Sequence, residues 1–166
     1  EEANVRLNQL EEEILQRDHL RVFFYAYGDD NSLVKTVATL LEEKKQSLGI
    51  LENGTGGLLQ AELSLALAGQ PYYSGGKIIS QLGTESGGLS EEASRIREEL
   101  QADLGLVVSV AVKPESTVDN VLAKVYLALA STSGISKKEV DLGGYSWQYL
   151  RQLACLQALD FVRNTL

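Results

Sequence analysis

Leu48-Gly49-Ile50-Leu51-Glu52-Asn53-Gly54-Thr55-Gly56-Gly57-Leu58-Leu59-Gln60 is the stretch on which the fold turns. Leu48 to Leu51 is a short apolar run that suits a buried strand. Glu52 to Gly57 breaks that run with turn-forming residues, and a leucine-rich helix is expected from about Leu58 to Ala68. The unit is therefore strand, tight loop, helix.

Working outward, Leu33 to Lys45 reads as a helix, with Val34, Val37, Leu40 and Leu41 at helical spacing, Asn31 or Ser32 as its N-cap and Lys44 and Lys45 favoured by the dipole at its end. Further upstream, Ala3 to Leu20 reads as a helix and Arg21 to Tyr27 as a strand, closed by the turn cluster Gly28-Asp29-Asp30-Asn31-Ser32. The domain boundary falls at that cluster, separating residues 1–28 from residues 29–166. Downstream, Tyr72 to Ser80 is expected to hold a short strand. Ser90 reads as the N-cap of a helix running to about Leu100. Leu104 to Val112 is a continuous β-branched run, as in a strand buried on both faces. Two further strands are read at Val125 to Ala130 and Val140 to Leu142, with a Ser131-Thr132-Ser133-Gly134 turn between them. A last helix follows from about Ser146 to Thr165. Strands alternating with helices predict an α/β fold, a three-layer α/β/α sandwich with a mixed sheet.

Composition narrows the function classes. At 166 residues the chain can bury one sizeable core but not two full domains. A formal net charge of -8 with no Lys/Arg cluster argues against a nucleic-acid partner, because that affinity comes from neutralising phosphates. Cys155 is the single cysteine, so an intrachain disulfide and a thiolate metal cluster are both excluded, and a reducing cytoplasm is the expected compartment. No apolar stretch reaches the roughly 20 residues of a membrane span, so no membrane association is expected. The sequence has no methionine, which points to a segment of something longer, with upstream domains as its first partners.

Leu51-Glu52-Asn53-Gly54-Thr55-Gly56-Gly57 resembles the Ala-Glu-Ser-x-Thr-Gly-Gly hallmark of the CinA (competence/damage-inducible protein) C-terminal family, at the same strand-to-helix junction. Its surroundings match in order and approximate spacing. Gly28 to Leu33 resembles a Gly-Asp-Asp-x-Ser-Leu lead-in, and Tyr73-Ser74-Gly75-Gly76 follows the next helix. Then come Gly88-Leu89-Ser90-Glu91-Glu92-Ala93, Ala102-Asp103-Leu104-Gly105-Leu106, Val125-Tyr126-Leu127-Ala128-Leu129, and an Arg-x-x-Ala rhythm at Arg151 and Ala154. The resemblance covers nearly everything from Gly28 onward. Residues 1–28 are similar to the tail of the linker domain that precedes this one in full-length family members. The resemblance implies a serine amidohydrolase converting nicotinamide mononucleotide to nicotinic acid mononucleotide and ammonia. Its nucleophile is the motif serine, activated by a lysine in a Tyr-Ser-Asn-x-x-Lys stretch, because a hydroxyl is a poor nucleophile until a neutral amine takes its proton. Family members are often dimers, so a homodimer is implied as well. The resemblance implies no cofactor and no metal.

Four departures point the other way. The nucleophile position holds Asn53, whose amide cannot form an acyl-enzyme. Lys77-Ile78-Ile79-Ser80-Gln81 reaches Gly88 within a few residues, so the lysine-bearing loop is shortened. Lys113-Pro114-Glu115-Ser116-Thr117-Val118-Asp119 replaces a Gly-Pro-Gly-rich loop and adds acidic side chains. Tyr145-Ser146-Trp147 stands where the family has Gly-Asp-Arg. The reading is a catalytically inactive CinA-like domain with a structural, dimerising or ligand-binding role; the rival is an active amidase with Thr55 as substitute nucleophile and Lys77 as base. Asn53, Gly54, Thr55, Gly56, Gly57, Gly75 and Gly76 are the candidate contacts for a small nucleotide-like ligand, since N–H groups at a helix start hold anions. The plainer reading of Gly56 and Gly57 is a tight turn with close helix packing. His19 reads as a solvated surface residue. Cys155 reads as buried packing, and Trp147, Tyr145 and Tyr149 at a helix start read as the lining of a new pocket or, equally, as core or a subunit contact.

Overall fold

The computed structural model describes Arg6, Leu10, Glu13, residues 32–80 and residues 88–166. Arg6, Leu10 and Glu13 are helical and exposed. The remainder of the expected first helix, the strand at Arg21 to Tyr27 and His19 lie outside the described residues.

The strand, loop and helix of the opening stretch form as read: β1 is Leu48–Asn53 and α2 is Leu58–Ala66. Ahead of them α1, Leu33–Lys44, is capped by Ser32, whose side chain accepts the Lys35 N–H at 3.3 Å. Beyond α2 lie β2 (Tyr73–Ile79), α3 (Gly88–Glu99), β3 (Leu104–Val112), β4 (Val121–Ser131), β5 (Gly134–Tyr145) and α4 (Trp147–Thr165). The five strands make one sheet in the order β2-β1-β3-β4-β5. β1 runs parallel to β2 and β3, and β3-β4-β5 is an antiparallel meander.

Strand alternation sorts side chains between the two faces. Ile50, Leu106, Val108, Val125 and Leu127 join α1, α2 and α4 in the larger core, whereas Leu51, Val107, Ala128 and Ala130 pack under Leu89, Ala93 and Ile96 of α3. Among the described residues the sandwich thus has three layers, with α1, α2 and α4 on one face and α3 on the other. α3 lies so close to the sheet that a Cβ on Gly105 would stand 2.1 Å from the Ala93 carbonyl oxygen. Ser47 and Asp103 lock the loops entering β1 and β3, the Asp103 carboxylate accepting both the Ser47 N–H and its hydroxyl at 2.8 Å. Those bonds hold the Asp103 carboxyl below its usual range.

Two expectations are corrected. Ser90 is not the cap of α3: the helix already includes Gly88, and the Ser90 hydroxyl is buried within its first turn without a partner. β4 and β5 are also far longer than the six- and three-residue runs read from the sequence. Among the described residues β5 is an edge strand, and its Lys137, Lys138, Glu139 and Asp141 obscure the apolar alternation that marks a half-buried strand.

Candidate functional site

The carboxyl ends of the parallel strands, where open α/β sheets take ligands, carry the loop Gly54-Thr55-Gly56-Gly57 between β1 and α2. At its root Glu52 is completely buried. One carboxylate oxygen, Oε1, accepts the Gln60 N–H at 2.8 Å; the other, Oε2, accepts the Leu59 N–H at 3.3 Å and the Thr55 hydroxyl at 2.5 Å. Glu52 therefore caps α2 from within the chain, taking two of the four N–H groups that a helix start leaves unbonded and setting a carboxylate against the positive end of the dipole. The cap residue itself, Gly57, has no side chain to do this.

Burial and the Glu52 charge colour the surroundings. Burial, then Glu52, pushes the Glu62 carboxyl above its ordinary range and the Tyr73 hydroxyl up to about 12. Burial also drives the Cys155 thiol strongly upward, aided by Glu52 and Glu62 and opposed by Arg151. Cys155 is a buried packing residue, as the sequence suggested. A carboxyl raised in the folded state binds its proton more tightly there than in the unfolded chain. Its contribution is thus favourable below the unfolded value near 4.5 and is lost as pH rises through the folded value. Glu62→Gln is accordingly expected to raise the urea midpoint at pH 7, with the gain over the parent shrinking as pH falls through the raised folded value and absent below 4.5.

The glycines of the loop are filled by the chain itself. Gly54 has φ +82°, and a Cβ there would lie 2.8 Å from that of Val110. Gly56 sits beneath the Arg151 guanidinium, Gly57 against Ile78, and Gly76 against Gln60, whose amide donates to the Lys77 carbonyl at 3.1 Å. Gly75 alone of the candidate glycines has open space where a Cβ would stand.

Asn53 ends β1, in register with Ile79 of β2 and with Ser109, a nearly fully buried serine of β3. By the two-residue period Asn53 faces the α3 side with Leu51, while Glu52 faces α2 and α4. Lys77 is the register partner of Leu51, and its amine binds Glu99 at 2.5 Å. Glu99 ends α3 next to Leu100, which packs on Gly49 near the start of β1, so the amine is drawn away from Asn53. Thr55, bonded to Glu52, belongs to the opposite face. The structure therefore brings Asn53 to the loop but does not bring Lys77 to Thr55. Ser146, in the segment that replaces Gly-Asp-Arg, caps α4 by accepting the Tyr149 N–H, and Tyr145 and Tyr149 meet edge to face at 5.2 Å. The loop after β3 is closed on itself by Ser116, whose hydroxyl bonds both the N–H and the carbonyl of Leu122 at 2.9 Å. Among the described residues no group of three or more His, Cys, Asp or Glu side chains is arranged to hold a metal ion, and no helix is long and apolar enough to cross a membrane.

Sequence reasoning missed Glu52 as the helix cap. The signal was available, because a carboxylate entering a side-chain-free turn ahead of a helix is suited to capping it.

Fold and loop together define an α/β/α domain organised around a buried glutamate and a glycine turn. That architecture matches a solved CinA (competence-damaged protein) superfamily protein from Klebsiella pneumoniae with a TM-score of 0.69 at 18% identity, covering 80% of this chain and 94% of that one. The chain belongs to the CinA family. It is 78% identical over its whole length to a competence-damage inducible protein of Streptococcus suis strain 98HAH33, and 29% identical over 99% of its length to one from Streptococcus gordonii. It spans 42% and 45% of the lengths of these relatives. No protein-family model matches the sequence. The alignment with the Streptococcus suis protein runs 166 positions for 166 residues, so the two share one spacing. The Streptococcus gordonii alignment needs 188 positions, so that relative carries segments this chain lacks.

Proposed function

We propose that this domain performs no amidase chemistry and serves its full-length protein as a structural, dimerising or ligand-binding module. The observation that carries this reading is the separation of every group a Ser-Lys mechanism needs. Asn53 offers no hydroxyl. The Thr55 hydroxyl is fully buried and donates to Glu52, so no substrate carbonyl can approach it. The Lys77 amine is bound to Glu99. A nucleophile requires both a base within hydrogen-bond reach and an open path to the substrate; the Glu52 carboxylate stands beside the Thr55 hydroxyl, but the buried hydroxyl has no such path.

The test follows ammonia release from nicotinamide mononucleotide at high protein concentration, for the chain and for Asn53→Ser in parallel. Both are expected to be silent, because restoring the hydroxyl does not restore its base. Turnover by the unmodified chain would sink the proposal, and turnover by Asn53→Ser alone would show that a base is in place after all.

A further inference from the structure

Asn53-Gly54 is the single Asn-Gly pair in the sequence. The other asparagines, Asn4, Asn8, Asn31, Asn120 and Asn164, precede Val5, Gln9, Ser32, Val121 and Thr165, all of which carry side chains. The difference is chemical. With no Cβ in the way, a glycine nitrogen can approach the preceding asparagine's side-chain carbonyl and close a five-membered ring. The fold leaves that approach open. Asn53 is the last residue of β1, and both it and Gly54 are only partly buried. Among the described residues no hydrogen bond holds the Asn53 side chain, and its amide is not one of the buried polar groups left without a partner, so water reaches it. Gly54 lies just past the strand, and its N–H makes none of the turn, loop or cap hydrogen bonds formed among the described residues. Both reacting groups are therefore unheld.

We propose that Asn53-Gly54 is a self-modifying site, at which the folded chain converts Asn53 to aspartate and isoaspartate through a cyclic imide. The Gly54 nitrogen gives up its proton to hydroxide and attacks Asn53 Cγ. The bond from that nitrogen to Cγ forms, the bond from Cγ to Nδ2 breaks, and Nδ2 takes a proton from water and leaves as ammonia. Water then opens the imide at either carbonyl. Cleavage at Cγ returns the ordinary backbone with an aspartate; cleavage at the main-chain carbonyl carbon leaves the chain running through Cγ as isoaspartate. One water is consumed and one ammonia released, and nothing is oxidised or reduced. The products change the loop. Either places a carboxylate next in sequence to buried Glu52, and like charges so close disfavour each other. Isoaspartate also lengthens the main chain where Gly54 rests against Val110.

The test incubates the folded chain at mildly alkaline pH with no substrate, following ammonia and mapping residue 53 by peptide separation of its asparagine, aspartate and isoaspartate forms. Expected is ammonia approaching one per chain, with residue 53 converting at least tenfold faster than Asn120 or Asn164 and the rate rising in proportion to hydroxide. Asn53→Gln should slow the release at least tenfold, because glutamine must close a larger ring. That variant carries the comparison, since Gly54→Ala would set a Cβ 2.8 Å from that of Val110 and endanger the fold. The proposal is overturned if residue 53 keeps its amide as long as Asn120 and Asn164 do, if conversion occurs only after urea is added, or if Asn53→Gln releases ammonia as fast as the parent. The reaction needs no nicotinamide mononucleotide and stops at one ammonia per chain, which separates it from turnover. Its failure leaves the reading of the domain as inactive untouched.

Discussion

Glu52→Ala is expected to lower the unfolding free energy by about 4 kcal/mol, read from urea denaturation, and to bring the thermal midpoint down by roughly 10 °C for a chain of this size. The variant strands the Leu59 and Gln60 N–H groups and the Thr55 hydroxyl together, all previously bonded to one carboxylate. Each buried donor left without an acceptor costs about 1–3 kcal/mol, and the three losses share one site, so they do not simply add. The void left by the side chain acts in the same direction. Relief of the charge that Glu52 imposes on Glu62 and Tyr73 opposes the loss but is smaller, since Glu62 is only partly buried. Thr55→Val separates the contributions: it removes one donor and keeps the helix cap, so its loss should be near 1 kcal/mol. A loss of less than 1 kcal/mol in Glu52→Ala would show that water replaces the carboxylate and that the helix start is not held from within.

The same residue marks where the sequence was legible and where it was not. β1, the turn and α2 could be placed because a short apolar run, a glycine cluster and a leucine-rich stretch each have one physical reading. The antiparallel half was blurred because β5 is an edge strand, whose charges serve solubility and cross-strand pairs such as Lys124 with Glu139 at 3.2 Å. Ser90 misled because a serine before two glutamates is the pattern of a helix start, yet Gly88 and Leu89 already lie in the helix. At the candidate site, the positions came from a motif but the contacts did not. Asn53 and Lys77 could be judged as residue types, whereas the capture of the Lys77 amine by Glu99 depends on β2 and the end of α3 meeting across the fold. Glu52 and Asp160 were invisible as buried carboxylates for one reason. Charge predicts exposure by default, and only the tertiary partners that satisfy a buried acid reveal it.

Asp160→Ala should cost about 3 kcal/mol, with the loss concentrated where α4 meets the edge strand. Asp160 is almost fully buried on α4, between the Arg163 guanidinium at 2.6 Å and the Lys138 amine of β5 at 3.7 Å. Its removal leaves the Arg163 charge in a setting where that side chain is only 16% exposed. The Lys138 amine, 37% exposed, can turn to water, which places the cost toward the lower end of what breaking a buried pair usually brings. Because β5 pairs with β4 and packs against α4, loss of this tether should also speed amide hydrogen exchange along β5 more than along β3. Asp160→Asn keeps the shape and removes the charge, so it should fall between the parent and the alanine variant. Uniform acceleration across the sheet would mean that Asp160 contributes only to global stability, whereas a response confined to β5 would identify the buried carboxylate as the fastening of the sheet's exposed edge.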